Sequence, residues 1–257
     1  MEYLSDSYFI LSLIVLVAFI AGFVDSIAGG GGFLTVPALM LAGIPTQQVI
    51  ATNKLSATFG AAIASINFIR DGKVVWQIAI LGFIGAIIGG IIGGNLNVGV
   101  SKATLDTIVM IILPISAAVT FIPKRKIKTV AKEFTKVEIY ILSPLISLFL
   151  GIYDGFFGPG MGTFLIVAYY SILGLDMINA SGVAKVINFA SNISSLMVFI
   201  KMGTIIYAIG IPMLIATSLG SYIGSKLALK KGQSFIRFIM IFVFIIMFIS
   251  LIYKYLK

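Results

Sequence analysis

Four ionisable residues stand alone inside long apolar runs: Asp25, Lys54, Asp154 and Lys185. Each aspartate is followed by a cluster of glycines. The first cluster reads Asp25-Ser26-Ile27-Ala28-Gly29-Gly30-Gly31-Gly32-Phe33-Leu34, and the second Asp154-Gly155-Phe156-Phe157-Gly158-Pro159-Gly160-Met161-Gly162-Thr163-Phe164-Leu165. An ionised side chain near the centre of a bilayer costs about 2.5 kcal/mol or more, so each of the four should face protein or a wet cavity. One reading makes them the lining of a substrate or proton pathway, the usual meaning of charge inside a membrane. The plainer reading makes Asp25–Lys54 and Asp154–Lys185 two ion pairs, each within its own half of the chain, that pin a short helix to its neighbour. The two readings are compatible.

The glycines point to the ligand class. Gly29, Gly30, Gly31 and Gly32, and Gly158, Gly160 and Gly162 around Pro159, cannot sustain a helix facing lipid. Their freed backbone groups must be buried in protein or line an aqueous cavity. A helix that opens at Phe33 or Phe164 aims unpaired N–H groups and its positive dipole end back at the break. Such an end binds anions without any charged side chain. Two Asp and two Lys cancel, so the helix ends leave the breaks net positive and favour an anion. Asn53, Asn188 and Asn192, with Thr52, Ser56 and Ser191, add amides and hydroxyls on the segments that carry the lysines. Asn188 and Asn192 are four residues apart and share a helical face. Such side chains in membrane helices also bond neighbouring helices.

The elements that must hold these residues are hydrophobic throughout. Of 257 residues, 60% are hydrophobic and 11% charged, against roughly 25% charged in a soluble domain, and the mean hydropathy is +1.13. The start, Met1-Glu2-Tyr3-Leu4-Ser5-Asp6, lacks the basic region of a signal peptide, so the first apolar segment is expected to be retained. With no Cys and no His, disulfides, thiolate or imidazole metal sites and Cys- or His-based catalysis are excluded. No metal and no cofactor is expected.

Segment one runs over about 9–28, roughly the 20 residues needed to cross a ~30 Å hydrocarbon core. After the glycines, Phe33 to Leu41 or Gly43 is only half a bilayer long, so it is a half-helix or a re-entrant element. Pro45 suits the start of a third segment reaching about Ile69, and Arg70-Asp71-Gly72-Lys73 is a polar turn. Spans at about 75–92 and 105–122 follow. A basic linker, 123–136, leads to a second half of the same plan: about 137–157, a short 164–173, then 177–200, 205–227 and 236–253. Lys54 and Lys185, Gly43 and Gly174, and Gly72 and Gly203 correspond at one offset of 131 residues. Gly82, Gly85, Gly89, Gly90, Gly93 and Gly94 read as helix-packing glycines, and Trp76 as an interfacial anchor.

Loop charge gives the orientation. If the short elements count as crossings, the halves are inverted, and 12 basic residues fall on the cytoplasmic side: Arg70, Lys73, six in the linker, Lys226, Lys230, Lys231 and Arg237. Four, Lys102, Lys201, Lys254 and Lys257, fall outside with both termini. If the short elements dip and return, the halves are parallel and the count is 11 against five. The margin of one residue leaves both topologies open, with the inverted one ahead. Positive-inside loops account for the +9 net charge without nucleic acid.

Phe23-Val24-Asp25-Ser26-Ile27-Ala28 with its four glycines, Thr52-Asn53-Lys54-Leu55, Tyr153-Asp154-Gly155-Phe156-Phe157-Gly158-Pro159-Gly160, and Lys185-Val186-Ile187-Asn188-Phe189 with Ser191-Asn192 together resemble the sulfite exporter TauE/SafE family, in particular its branch of probable membrane transporters. The resemblance covers nearly the whole chain. It implies a polytopic secondary carrier of a bacterial or archaeal inner membrane. Members of that family move small anions such as sulfite and sulfonates, in several cases outward. One inequality between the halves stands out: Leu175-Asp176 replaces Ile44-Pro45.

The expectation is therefore an all-α integral membrane protein of two tandem repeats, 1–122 and 137–257. Each holds about four full transmembrane helices and one short broken or re-entrant helix, and the linker 123–136 is cytoplasmic. The expected function is secondary transport of small anions, sulfur oxyanions or organosulfonates, by alternating access. Lys54, Lys185, Asn53, Asn188, Asn192 and the glycine backbones would bind substrate. Asp25 and Asp154 would orient the lysines or take a coupling proton. No phosphate-binding loop is present, so the energy must come from a gradient. An anion channel and an intramembrane enzyme are the rival classes. Partners are the anion and the bilayer, and the oligomeric state, a homodimer included, is left open.

Overall fold

Apolar runs of this length become helices wherever glycine and proline do not interrupt them, because a helix satisfies its backbone groups within its own segment. The computed structural model describes residues 2–119, 133–232, 234–236 and 238–239, and every regular element among them is helical. In chain order these are α1 (Glu2–Ala28), α2 (Gly32–Leu41), α3 (Thr46–Arg70), α4 (Trp76–Gly99), α5 (Lys102–Val119), α6 (Ser143–Phe156), α7 (Met161–Ser171), α8 (Met177–Lys201) and α9 (Tyr207–Lys231). One π-helical turn, Glu138–Leu142, leads into α6. Among the described residues α1, α3, α4, α6 with its π turn, α8 and α9 are long and apolar enough to cross a membrane. The short α2 and α7, of 10 and 11 residues, are not. Residues 120–132, most of the linker among them, and nearly all of the expected last span lie outside the described residues.

Local chemistry explains several boundaries. Pro45, in extended backbone, stands immediately before α3. Asp176 caps α8, accepting from the backbone N–H groups of Ile178 at 2.9 Å and Asn179 at 3.0 Å. Thus the residue that breaks the match between the halves starts its helix by a different device, a side-chain cap in place of a proline. Two boundaries differ clearly from expectation: α1 already begins at Glu2, ahead of the expected start at Phe9, and α4 continues to Gly99, past Ile92. Its late glycines are held in helix by close packing.

That packing joins the two halves extensively. α4 lies along α6 and α8, α1 lies along α9, and α3 packs on both α8 and α9. On α4 a Cβ at Gly85, Gly89 or Gly93 would overlap the carbonyls of Pro144, Leu148 or Ile152, all on α6. A Cβ at Gly90 would overlap Ser194 of α8, and one at Gly94 would lie 3.2 Å from Val198 Cβ. Both faces of α4 therefore need small residues for backbones to approach, the packing role read from the sequence. Gly220 and Gly224 of α9 meet Phe19 and Phe23 of α1 in the same way. α3 and α8 bury 72% of their apolar spans, against 28–50% for the other four, so they form the centre. Outward-facing Ile80, Ile84 and Ile88 on α4, and Ile211, Ile215 and Leu219 on α9, are exposed at helical spacing, and Trp76 is half exposed at the start of α4.

Candidate functional site

The two helix breaks meet face to face. α1 ends at Ala28, and Gly29 turns the chain with φ +77°, a backbone state that side chains other than hydrogen disfavour. A Cβ on Gly29 would overlap the backbone nitrogen of Thr163, and one on Gly162 would lie 2.9 Å from Gly29 Cα. Gly32 approaches Pro159 similarly, with its would-be Cβ 2.9 Å from Pro159 Cα. Thr163 Oγ1 donates across the junction to the Ala28 carbonyl at 3.0 Å. In the second break, Gly160 takes φ +88° against the Phe33 ring, and the Tyr153 hydroxyl donates to the Pro159 carbonyl at 2.5 Å. The glycine clusters thus serve backbone-to-backbone contact between the start of α2 and the start of α7.

The charged residues pair across the halves. Lys54 Nζ of α3 lies 2.7 Å from Asp154 Oδ1 of α6, with the two side chains 1% and 2% exposed. Lys185 Nζ of α8 lies 3.4 Å from Asp25 Oδ2 of α1 and also donates to the Asp25 backbone carbonyl. The expected pairings within each half, Asp25–Lys54 and Asp154–Lys185, are therefore corrected. The reason is the packing: because α3 and α8 pack on each other beneath the facing breaks, each lysine reaches the aspartate of the opposite half. Crossed in this way, the pairs tie the two halves together at their centre.

A polar network continues from each pair. Lys54 Nζ donates to Asn192 Oδ1 at 2.9 Å, and Asn192 Nδ2 donates to Asn188 Oδ1 at 2.9 Å. The Ser191 hydroxyl donates to Asp154 Oδ2. On the other side the Gly31 N–H donates to Asp25 Oδ1 at 3.0 Å, so the aspartate at the end of α1 holds the start of α2. A Cβ on Gly158 would lie 3.2 Å from Lys54 Nζ, and one on Gly162 3.4 Å from Lys185 Nζ, so the second glycine cluster touches both ammonium groups.

The structure thus brings Lys54, Asp154, Asn188, Asn192 and Gly158 together, and Asp25, Lys185, Gly31 and Gly162 beside them. Asn53 stands apart from the lysine contacts. Its Oδ1 accepts from Thr35 Oγ1 at 2.6 Å. Gly30 and Gly160 shape the turns, and Gly32 packs on Pro159. Thr35, Thr163 and Tyr153 were absent from the sequence-based site. The signal that could have found the two threonines is a lone hydroxyl residue in the first turns of each short apolar helix. Among the described residues no three Asp or Glu side chains gather into a metal-binding group. The site is a junction of two lysine and two aspartate side chains with amides and helix starts.

Comparison with known proteins agrees with this architecture. The family described as "Sulfite exporter TauE/SafE" matches residues 14–251. A "Probable membrane transporter protein" of Haemophilus influenzae is 36% identical over 250 residues, which cover 95% of each chain. The "Probable membrane transporter protein YfcA" of Escherichia coli K12 is 37% identical over 246 residues, 95% of this chain and 90% of the relative. "Probable membrane transporter protein ORF9" of a Sinorhizobium species is 33% identical over 250 residues, 96% and 94% of the two chains. No solved structure matches the chain. Helices able to span a membrane and a family match over most of the length lead to one conclusion: the chain belongs to the sulfite exporter TauE/SafE family of membrane transporters.

Proposed function

We propose that the chain is a secondary carrier of small anions, with sulfur oxyanions or organosulfonates as the substrate class. Its repeats, 1–122 and 137–257, are inverted and alternate access about the facing breaks, with the linker 123–136 on the cytoplasmic side of the inner membrane. The observation that carries this reading is the pair of crossed ion pairs, Lys54–Asp154 and Lys185–Asp25, placed where the two short helices begin. An anion entering the junction competes with a carboxylate for an ammonium group and receives help from the starts of α2 and α7. Asn188 and Asn192 stand beside Lys54 to share its coordination. Because each ion pair joins one half to the other, rocking of the halves must break and remake them, which links substrate binding to the change of access.

The test is uptake of labelled sulfite and small sulfonates into proteoliposomes. Saturable uptake that exchanges with internal substrate, and is lost in folded Lys54→Ala and Lys185→Ala proteins, is the expected result. Wild-type uptake by both variants would remove the lysines from the site. Flux that does not saturate or exchange would make the protein a channel. Single cysteines beside Lys201 and beside Lys230, labelled from either side in a chain with no native Cys, test the inverted topology, which puts the first outside and the second inside where parallel halves do the reverse.

A further inference from the structure

Asp25 and Asp154 occupy matching places but differ in surroundings. Asp154 is 2% exposed and bonded to both Lys54 and Ser191, whereas the Asp25 side chain is 25% exposed. The space beside Asp25 is a partly open cavity of about 30 Å³ bordered by α1, α2, α3 and α9. Its polar lining is Asp25, Thr35, Asn53, Ser56, Thr217 and Ser221.

The hydrogen bonds of this lining decide what the cavity can hold. A hydroxyl has one proton to donate and two lone pairs. Thr35 gives its proton to Asn53 Oδ1 at 2.6 Å, and Ser56 to the Asn53 carbonyl at 3.0 Å. Thr217 gives its proton to the Ala18 carbonyl at 3.2 Å, and Ser221 to the Gly22 carbonyl at 3.1 Å. All four hydroxyls have spent their protons on the protein and keep only lone pairs for the cavity. Asp25 accepts one bond at each oxygen, from Gly31 N and from Lys185 Nζ at 3.4 Å, and a carboxylate has about four acceptor sites. The lining therefore offers hydroxyl lone pairs around one carboxylate, with the Asn53 amide as its side-chain donor.

We propose that this cavity is a binding site for a small monovalent cation, Na⁺, held by the Asp25 carboxylate and the neutral oxygens around it. One carboxylate matches one positive charge, and the residues that line the cavity hold one acid, Asp25. Oxygen ligands suit a hard cation, and the cavity has room for a small ion. A proton would need only the carboxylate, whereas a cation would also use the neutral oxygens of the lining. Lys185 supplies the link to transport. While it faces Asp25 it opposes a cation. An anion that engages Lys185 leaves Asp25 free for the cation, so each ligand strengthens the binding of the other. That coupling rests on the anion-carrier reading. The cation site does not.

The experiment therefore uses no anionic substrate. Thermal unfolding of the purified full chain in detergent is followed across a NaCl series, with choline chloride holding ionic strength constant. Na⁺ should raise the unfolding temperature saturably. The half-saturating concentration should rise about tenfold or more in Asp25→Asn, Thr35→Val and Ser56→Ala, the loss expected when one ligand to a charge is removed. Ser195→Ala, buried in α8 outside the cavity, should respond like wild type. If Asp25→Asn fails to fold, Thr35→Val and Ser56→Ala carry the test. Equal responses to choline and Na⁺, stabilisation by acid alone, or an unaltered Na⁺ response in the cavity variants would each overturn the proposal. Failure of the anion-carrier reading would look different: no anion uptake, with the Na⁺ response intact.

Discussion

Lys54 and Asp154 sit 2.7 Å apart with side chains 1% and 2% exposed, so deleting either leaves the other charge buried without its partner. Breaking a buried pair in this way costs about 3–5 kcal/mol, whereas replacing both members by apolar residues of similar volume is often close to neutral. Lys54→Met and Asp154→Leu should each destabilise the protein by about that amount, and the double variant should recover most of the loss. Recovery will be partial. Ser191, which donates to Asp154, and Asn192, which accepts from Lys54, lose partners in the double variant, and a buried polar group left unsatisfied costs about 1–3 kcal/mol. The matching control is Lys54→Met with Asp25→Leu, which strips one member from each crossed pair and should be less stable than either single variant. Unfolding in detergent, read by intrinsic fluorescence for all five proteins and wild type, ranks them. Rescue of Lys54→Met by Asp25→Leu in place of Asp154→Leu would refute the crossed pairing. The rescued double variant should also fail to take up anion, because it is stable yet lacks the lysine proposed to bind substrate.

Two further outcomes follow from backbone geometry. Gly29→Ala puts a Cβ into the Thr163 backbone, whereas Gly43→Ala, at a similar φ of +79°, meets nothing within 4 Å. Gly43→Ala should therefore lose only the strain of a left-handed residue, about 1–2 kcal/mol, and Gly29→Ala should elute largely as aggregate in size-exclusion chromatography. Equal folded yields would undo the close-contact account of the breaks. Asp176→Ala removes the cap of α8 and should lower stability by about 1 kcal/mol. It should leave anion uptake near wild type, since the cap lies nine residues, about 13 Å, from Lys185 along the helix. A large transport defect in folded Asp176→Ala protein would show that this end of α8 takes part in the site.

The segments could be read from the chain because hydrocarbon imposes a local rule: an apolar run must form a helix, and a glycine cluster must break it. Hence the end of α1 at Ala28, the shortness of α2 and α7, and the starts of α3 and α8 came within a few residues of expectation. The same rule marked Asp25, Lys54, Asp154 and Lys185, since isolated charge inside an apolar run is costly wherever it lies. Where helices touch, local rules stop. α4 continues to Gly99 because its glycines fit the carbonyls of α6, a partner more than forty residues away in the chain. Thr35 was missed because a lone hydroxyl in the first turns of a short apolar helix gains its meaning only when Asn53 is seen beside it.

Pairing of the four charges shows the division most clearly. Sequence alone determined that they exist, that they stand within apolar runs and that two of each sign balance. The nearest partners along the chain were Asp25 with Lys54 and Asp154 with Lys185, and a helix break between each pair made both connections reasonable. Tertiary structure decided the reverse, joining Lys54 to Asp154 and Lys185 to Asp25. It also left Asp25 facing a cavity while sealing Asp154. The physical reason is that burial cost belongs to a residue and its own surroundings in lipid, whereas the choice of counter-charge belongs to whichever helices the small residues allow to meet.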